Sequence, residues 1–127
     1  MATGFPASVG DVLSADMFNG LVTFTLNDEA GDYTVANSDL YQVLVRTTAA
    51  GTKTVTIAPD STLTAAAVGT AITFLNSGAG LLTFAAGAGV TITSAGASVA
   101  APTLAQYNSA VAIRTAANAW TIVGAIG

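Results

Sequence analysis

The charged side chains of this chain are few: seven acids, Arg46, Lys53 and Arg114, with no histidine and no cysteine. Those counts decide most of the available chemistry. Without histidine, a Ser-His-Asp relay cannot be built and the commonest metal ligand and general base are missing. Without cysteine there is neither thiolate chemistry nor a disulfide. A Ser-Lys nucleophile would have to use Lys53, and no supporting motif surrounds it. Glycoside hydrolysis needs two carboxylates held about 5–10 Å apart with separated pKa values. Nothing in the spacing pairs the acids that way, and one Trp with three Tyr does not sketch a sugar cleft. Asp28-Glu29-Ala30-Gly31-Asp32 groups carboxylates as a calcium loop would, but not at EF-hand spacing. A solvated turn is the expectation there. Asp39 with Arg46, and Asp60 with Lys53, are expected as ordinary surface pairs. Gly78-Ala79-Gly80 and Gly87-Ala88-Gly89 lack the Gly-Lys-Ser/Thr of a phosphate loop and read as hairpin turns with positive φ. The sequence therefore predicts a protein that is not an enzyme, with no cofactor and no metal.

The elements that would carry these residues are strands. From Gly69 to Thr93 the chain reads as three short strands joined by the two glycine-rich turns. Ile72, Phe74, Leu82, Phe84, Val90 and Ile92 alternate with Thr73, Thr83 and Thr91, so the apolar set can line a core while the threonines face outward. Upstream, Val22, Phe24 and Leu26 alternate with Thr23 and Thr25. Tyr33 to Val35, Leu40 to Thr47 and Thr54 to Ile57 continue the pattern, and Pro59 ends the last of these. Ser61 to Val68 is a loop or one helical turn. Ala95 to Pro102 is a connection of small residues. Gln106 to Thr115 and the segment opened by Asn118 complete the set. Trp120 shares a face with Ile122 and is assigned to the core. Tyr107 is either a core anchor or an interface contact. About nine strands at spacings near ten residues predict an all-β sandwich, jelly roll or small barrel. The Thr-x-Thr pairs also raise a β-solenoid and an ice-binding face. A solenoid needs a fixed repeat period, which is not found, and threonine suits the exposed side of any half-buried strand.

At 127 residues the chain is expected to form one domain with a real core. Apolar residues make up 52% and charged residues only 8%, against about 25% charged in ordinary soluble domains. So few charges fit a surface covered by identical partners or a larger assembly. The net charge of −4 argues against a nucleic-acid partner. No run of about 20 strongly apolar residues is present, so no membrane partner is expected. The first residues, Met1-Ala2-Thr3-Gly4, do not begin a signal peptide.

Residues 1–20 read differently from the rest. Phe5-Pro6 and Val9-Gly10 suggest an extended arm. Ser14 caps a short helix through Met17 and Phe18, with Gly20 past its end. So short a helix must dock. Phe5, Val12, Leu13, Met17 and Phe18 are the candidate partner-binding residues, whether the arm lids its own domain or grips a neighbour. The expected organisation is this arm, 1–20, and a β-sandwich domain, 21–127.

The order of motifs from Tyr33 to Gly124 resembles a β-module of phage virion proteins, found in capsid decoration (cement) and tail-fibre sequences. The resemblance runs through Tyr33-Thr34-Val35 with Asp39, Val43-Leu44-Val45, and Thr54-Val55-Thr56-Ile57-Ala58-Pro59. It continues through Gly69 to Ile72, Gly78-Ala79-Gly80, Gly89-Val90-Thr91-Ile92, Gln106-Tyr107 and Asn118-Ala119-Trp120. Gly10 to Ala15 is similar to linking segments of fibre proteins. The resemblance implies a jelly-roll-like β-sandwich, commonly a homotrimer, residing in a virion. It transfers no catalytic residue. No long shaft precedes the module in this sequence, which favours a capsid decoration protein bound to the major capsid protein. A receptor- or glycan-binding module of a tail fibre is the alternative.

Overall fold

The structure, a computed structural model, describes residues 23–127. It is nearly all β. Its strands are β1 (Thr25–Glu29), β2 (Tyr33–Thr34), β3 (Val43–Thr47), β4 (Lys53–Ile57), β5 (Ala71–Asn76), β6 (Leu82–Ala86), β7 (Thr91–Ser94), β8 (Thr103–Leu104), β9 (Ser109–Ala116) and β10 (Ala119–Gly124), with one 3-10 turn, Asn37–Asp39. No helix among the described residues is long and apolar enough to cross a membrane.

Two sheets form: a six-stranded one ordered β1-β3-β5-β9-β10-β7 and a four-stranded one ordered β2-β4-β6-β8. Successive strands therefore alternate between sheets from β1 to β6. The pairs β1–β3, β3–β5, β2–β4 and β4–β6 are all parallel. The chain thus winds as three flattened coils, each contributing one strand to each sheet. Antiparallel β9 against β5 and β8 against β6 end the winding. A jelly roll pairs its strands antiparallel, so the expected two-sheet sandwich is present but its connectivity is closer to the solenoid that the sequence argued against.

The missing period has a physical explanation. Val45 pairs with Phe74 and Val55 with Phe84, a shift of 29 residues in both sheets. The first coil is offset by only 18 residues in one sheet and 22 in the other. Within the matched coils, Val43–Ile57 lies on Ile72–Ala86, and Ala50/Ala79, Gly51/Gly80 and Thr54/Thr83 are the only identical pairs. Burial is repeated while residue identity is not.

The glycine turns are also reassigned. Strands β5 and β6 lie in opposite sheets, so Ser77-Gly78-Ala79-Gly80 is an arch rather than a hairpin turn. Neither Gly78 nor Gly80 has positive φ; Gly89 does, at 75°. The two arch glycines serve close stacking instead. A Cβ on Gly78 would lie 2.1 Å from the Ala49 carbonyl oxygen, and one on Gly80 would lie 2.0 Å from that of Gly51. The Ser77 and Gly78 N–H groups donate to Thr47 O, and that of Gly80 to Ala49 O. Asn76 fastens the arch, donating to Gly80 O and Leu104 O while its own oxygen accepts from Gly78 N–H.

The alternation predicted for 69–93 holds. Ile72, Phe74, Leu82, Phe84 and Ile92 are buried, with Val90 packed against them. Phe74 and Phe84 meet edge to face across the sheets, with centroids 5.0 Å apart. Trp120 and Ile122 are buried as expected, and Val35, Leu40, Val45, Val55, Ile57, Leu63 and Leu104 complete most of the core. Residues 61–68 form successive turns rather than a helix, with Leu63 buried.

Candidate functional site

Strand alternation gives the six-stranded sheet a second face, away from the core. Leu26, Leu44, Thr73, Val111 and Val123 pair in a continuous file across five strands. A neighbouring file carries Arg46, Leu75 and Ser109. Opposite parity carries buried Val45, Phe74 and Ala110, which fixes these files on the outside. Among the described residues nothing covers them: Leu26 is 50% exposed, Phe24 48% and Val123 44%.

Here the sequence expectation fails for β1. Its alternation predicts Phe24 and Leu26 on a core face, but the residue facing inward is Asn27. Its amide donates to Asp39 Oδ1 at 2.9 Å and to the Tyr33 hydroxyl at 3.1 Å. The Tyr33 hydroxyl donates to Asp39 Oδ2, which also accepts from Ala36 N–H. A buried carboxylate must be satisfied by donors, and this knot satisfies Asp39 only if Asn27 points inward. Leu26 is thereby turned outward. Burial, and then the bond to Asp39, push the Tyr33 hydroxyl up to about 12.

The ionic partners also differ from those expected. Arg46 pairs with Asp28, not Asp39, through a two-pronged contact of 2.6 and 2.7 Å. Its hydrogen bonds hold the Asp28 carboxyl below the usual range, and Asp28 in turn raises Arg46. This pair lies on the outer face and cancels its own charge. Arg114 pairs with Asp60, which was expected to meet Lys53. Asp60 Oδ2 also accepts from Asn118 N–H, while Asn118 Oδ1 accepts from Asp60 N–H. Asn118 has φ of 50° in the β9–β10 turn, a conformation asparagine tolerates. Arg114, the largest influence, lowers the Asp60 carboxyl. Asp28 and Glu29 end β1 rather than lying in a solvated turn, and Asp32 accepts from Thr54 N–H. No three acids cluster as a metal would require among the described residues.

At the far edge of the same sheet, Thr93, Ser94, Thr121, Val123, Gly124 and Ile126 line an open, mainly apolar groove of about 430 Å³. The Thr93 and Thr121 hydroxyls, paired on neighbouring strands of its wall, bond to each other at 2.9 Å. Beside the stacked arches, Tyr107 is 77% exposed, so it is no core anchor. Its φ is 65°, which costs a residue other than glycine about 1–2 kcal/mol. Its N–H donates to Asn76 O.

No family model, curated protein or solved structure matches the chain.

The candidate partner-binding residues Phe5, Val12, Leu13, Met17 and Phe18 lie outside the described residues. What the sequence reading missed is the outer face. Its signal was available in Val43-Leu44-Val45, Ala110 to Ile113 and Ile122-Val123, where both strand parities are apolar. Such runs mark strands covered on both faces.

Proposed function

We propose that this chain is a structural virion protein: a capsid decoration protein that assembles as a homotrimer and binds across neighbouring subunits of the major capsid protein. The ordered motifs from Tyr33 to Gly124 support the virion assignment by resemblance. The observation that carries the binding role is the outer face of the six-stranded sheet, which is apolar, internally neutral and uncovered among the described residues. The charged side chains nearest to chemistry are committed to structure: Asp39 to Tyr33, Asp60 to Arg114, and Asp28 to Arg46. A protein of this kind works by many shallow contacts. Binding only the assembled lattice stabilises that lattice by mass action, and three linked copies strengthen each contact. Residues 1–20, through Phe5, Val12, Leu13, Met17 and Phe18, are proposed as a docking element on the capsid surface.

Copy number per virion, measured by quantitative mass spectrometry against the major capsid protein, tests this. A level comparable with the capsid protein is expected. A level far below it, or absence from purified virions, refutes the decoration role.

Exposed Tyr107 favours a second function, a receptor- or glycan-binding module of a tail fibre, because an aromatic held outward in a costly conformation is suited to stacking on a ligand. Loss of host-cell binding in Tyr107→Ala would support it. Unchanged binding to host cells would dismiss Tyr107 as the contact.

A further inference from the structure

We infer that the two opposite edges of the six-stranded sheet are complementary halves of one self-association interface: Phe24 and Leu26 of one copy seat in the β7–β10 groove of the next. The inference deepens the proposed assembly and rests on that reading only for the number of copies.

The two surfaces differ in kind, and each lacks what the other offers. At the β1 edge, two large apolar side chains project, about half exposed. At the β7 edge there is a concavity of about 430 Å³ with mainly apolar walls. Leu26 and the groove residues Thr93, Thr121 and Val123 share the outer parity of the sheet, since Thr93 pairs with Thr121 and Val123 ends the file that starts at Leu26, while Ile122 and Ile126 of the groove belong to the core side. A contact between different patches is heterologous. It propagates from copy to copy and closes into a ring when the rotation permits.

Charge favours a second copy as the occupant. The whole chain carries −4, so identical copies repel. On this face the charges among the described residues are Asp28 and Arg46, which neutralise each other. Copies can therefore meet here without a like-charge penalty. Backbone chemistry agrees. β7, Thr91-Ile92-Thr93-Ser94, carries no charge to deter a neighbour, whereas β1 ends in Asp28 and Glu29, so its contribution is the projecting side chains rather than its backbone. Edge strands that must stay single are usually protected by charge.

The chain has no cysteine, so introduced cysteines report without background. Leu26 and Val123 sit on strands separated by β3, β5 and β9. Four strand spacings are about 19 Å, far beyond disulfide reach. In the full-length Leu26→Cys/Val123→Cys variant, mild oxidation should yield covalent multimers on a denaturing gel, while each single variant stays monomeric there. Full-length protein should sediment as an oligomer, and Leu26→Asp should raise the dissociation constant on the order of thirtyfold or more. Circular dichroism should show that variant still folded, since Leu26 is half exposed.

Four outcomes overturn the inference. Cross-linking by Leu26→Cys alone means that the contact is isologous. An oligomer that the double variant does not cross-link uses another surface. If the parent and Leu26→Cys both sediment as monomers and the introduced thiol reacts freely with a thiol reagent, the face is uncovered. If both sediment as monomers and that thiol resists the reagent, residues 1–22 of the same chain cover the face. The virion proposal fails separately: cross-linked rings missing from purified virions would leave this interface standing, and virion-bound monomer would do the reverse.

Discussion

Gly80 and Gly51 occupy the same position in successive arches, and alanine should have opposite effects at the two sites. At Gly80 the new Cβ would lie 2.0 Å from Gly51 O and 2.2 Å from Gly51 C. Ordinary contact is about 3.4 Å or more, so the arches must separate by more than 1 Å. Backbone atoms cannot rotate away as a flexible side chain would. The separation strains the arch bonds Gly80 N–H to Ala49 O and Gly78 N–H to Thr47 O, both 3.1 Å long. Two weakened bonds cost about 0.5–1.5 kcal/mol each. Overpacking adds roughly 1–3 kcal/mol. Together these give a loss of about 2–6 kcal/mol. At Gly51 nothing among the described residues lies within 4 Å of the added atom, and φ is not positive. The shorter arch of the first coil leaves that side open. Gly51→Ala should therefore stabilise by about 0.4–1 kcal/mol, by restricting the unfolded chain. Urea melts followed by Trp120 fluorescence would measure both, since Trp120 is the single tryptophan and is 1% exposed. Equal stability of Gly80→Ala and the parent, or equal losses at both glycines, would refute arch stacking as the reason for glycine.

Further perturbations test the polar ties and the core. Tyr33 has a folded pKa of about 12 against about 10 unfolded, so its contribution is complete below pH 10 and lost as pH rises towards 12. Two units correspond to about 2.7 kcal/mol, reduced to roughly 1–2 by partial solvent contact; alkaline melts should show this loss, and Tyr33→Phe should abolish it. The lowered Asp60 carboxyl works in the opposite direction. Its stabilisation is present above the unfolded value of 3.8 and lost as pH falls through the lower folded value, so acid melts of Asp60→Asn should start less stable and show a shallower loss. Phe84→Ala removes one ring of the edge-to-face pair from a fully buried site and should cost about 3–5 kcal/mol in the same urea assay.

The alternation from Gly69 to Thr93 was legible because Ile72, Phe74, Leu82, Phe84 and Ile92 share the inward parity and are buried, while Leu75 of the same stretch faces outward and Leu81 is exposed. The sheet to which each strand belongs was not legible. An arch and a hairpin turn use the same small residues, and the glycines were interpreted by φ when their requirement is the closeness of a neighbouring backbone. The repeat was hidden for a related reason. A coil needs only an inward apolar residue at each rung, so Val45 can stack on Phe74 and Thr47 on Asn76, where the Thr47 hydroxyl meets Asn76 Oδ1. The outward turn of Leu26 was legible only with knowledge of Asp39, twelve residues away from Asn27. A buried carboxylate outranked a leucine's burial, because an unsatisfied charge costs more than an exposed side chain.

That choice at β1 links the fold to the proposed interface. A stack of parallel coils has two ends, and each must stop the next strand from adding. At one end the direction reverses: antiparallel β9 and β8 lie against β5 and β6. At the other end β2 is only two residues long, and β1 ends in Asp28-Glu29. Both features discourage further pairing. The Asp39 knot closes this end from within, and doing so places Leu26 on the outer face beside the neutral Asp28–Arg46 pair. The device that ends the coil thus also leaves an apolar, uncharged corner beside a protected edge. Replacing Asn27 with leucine tests the connection. It would put an apolar side chain inward with the register of β1 unchanged, and would remove the two hydrogen bonds to Asp39 and Tyr33 that hold β1 and Leu26 in place. If the connection holds, Asn27→Leu should lose stability by about 1–3 kcal/mol and lose self-association with it. Loss of stability with association intact would separate the knot from the interface.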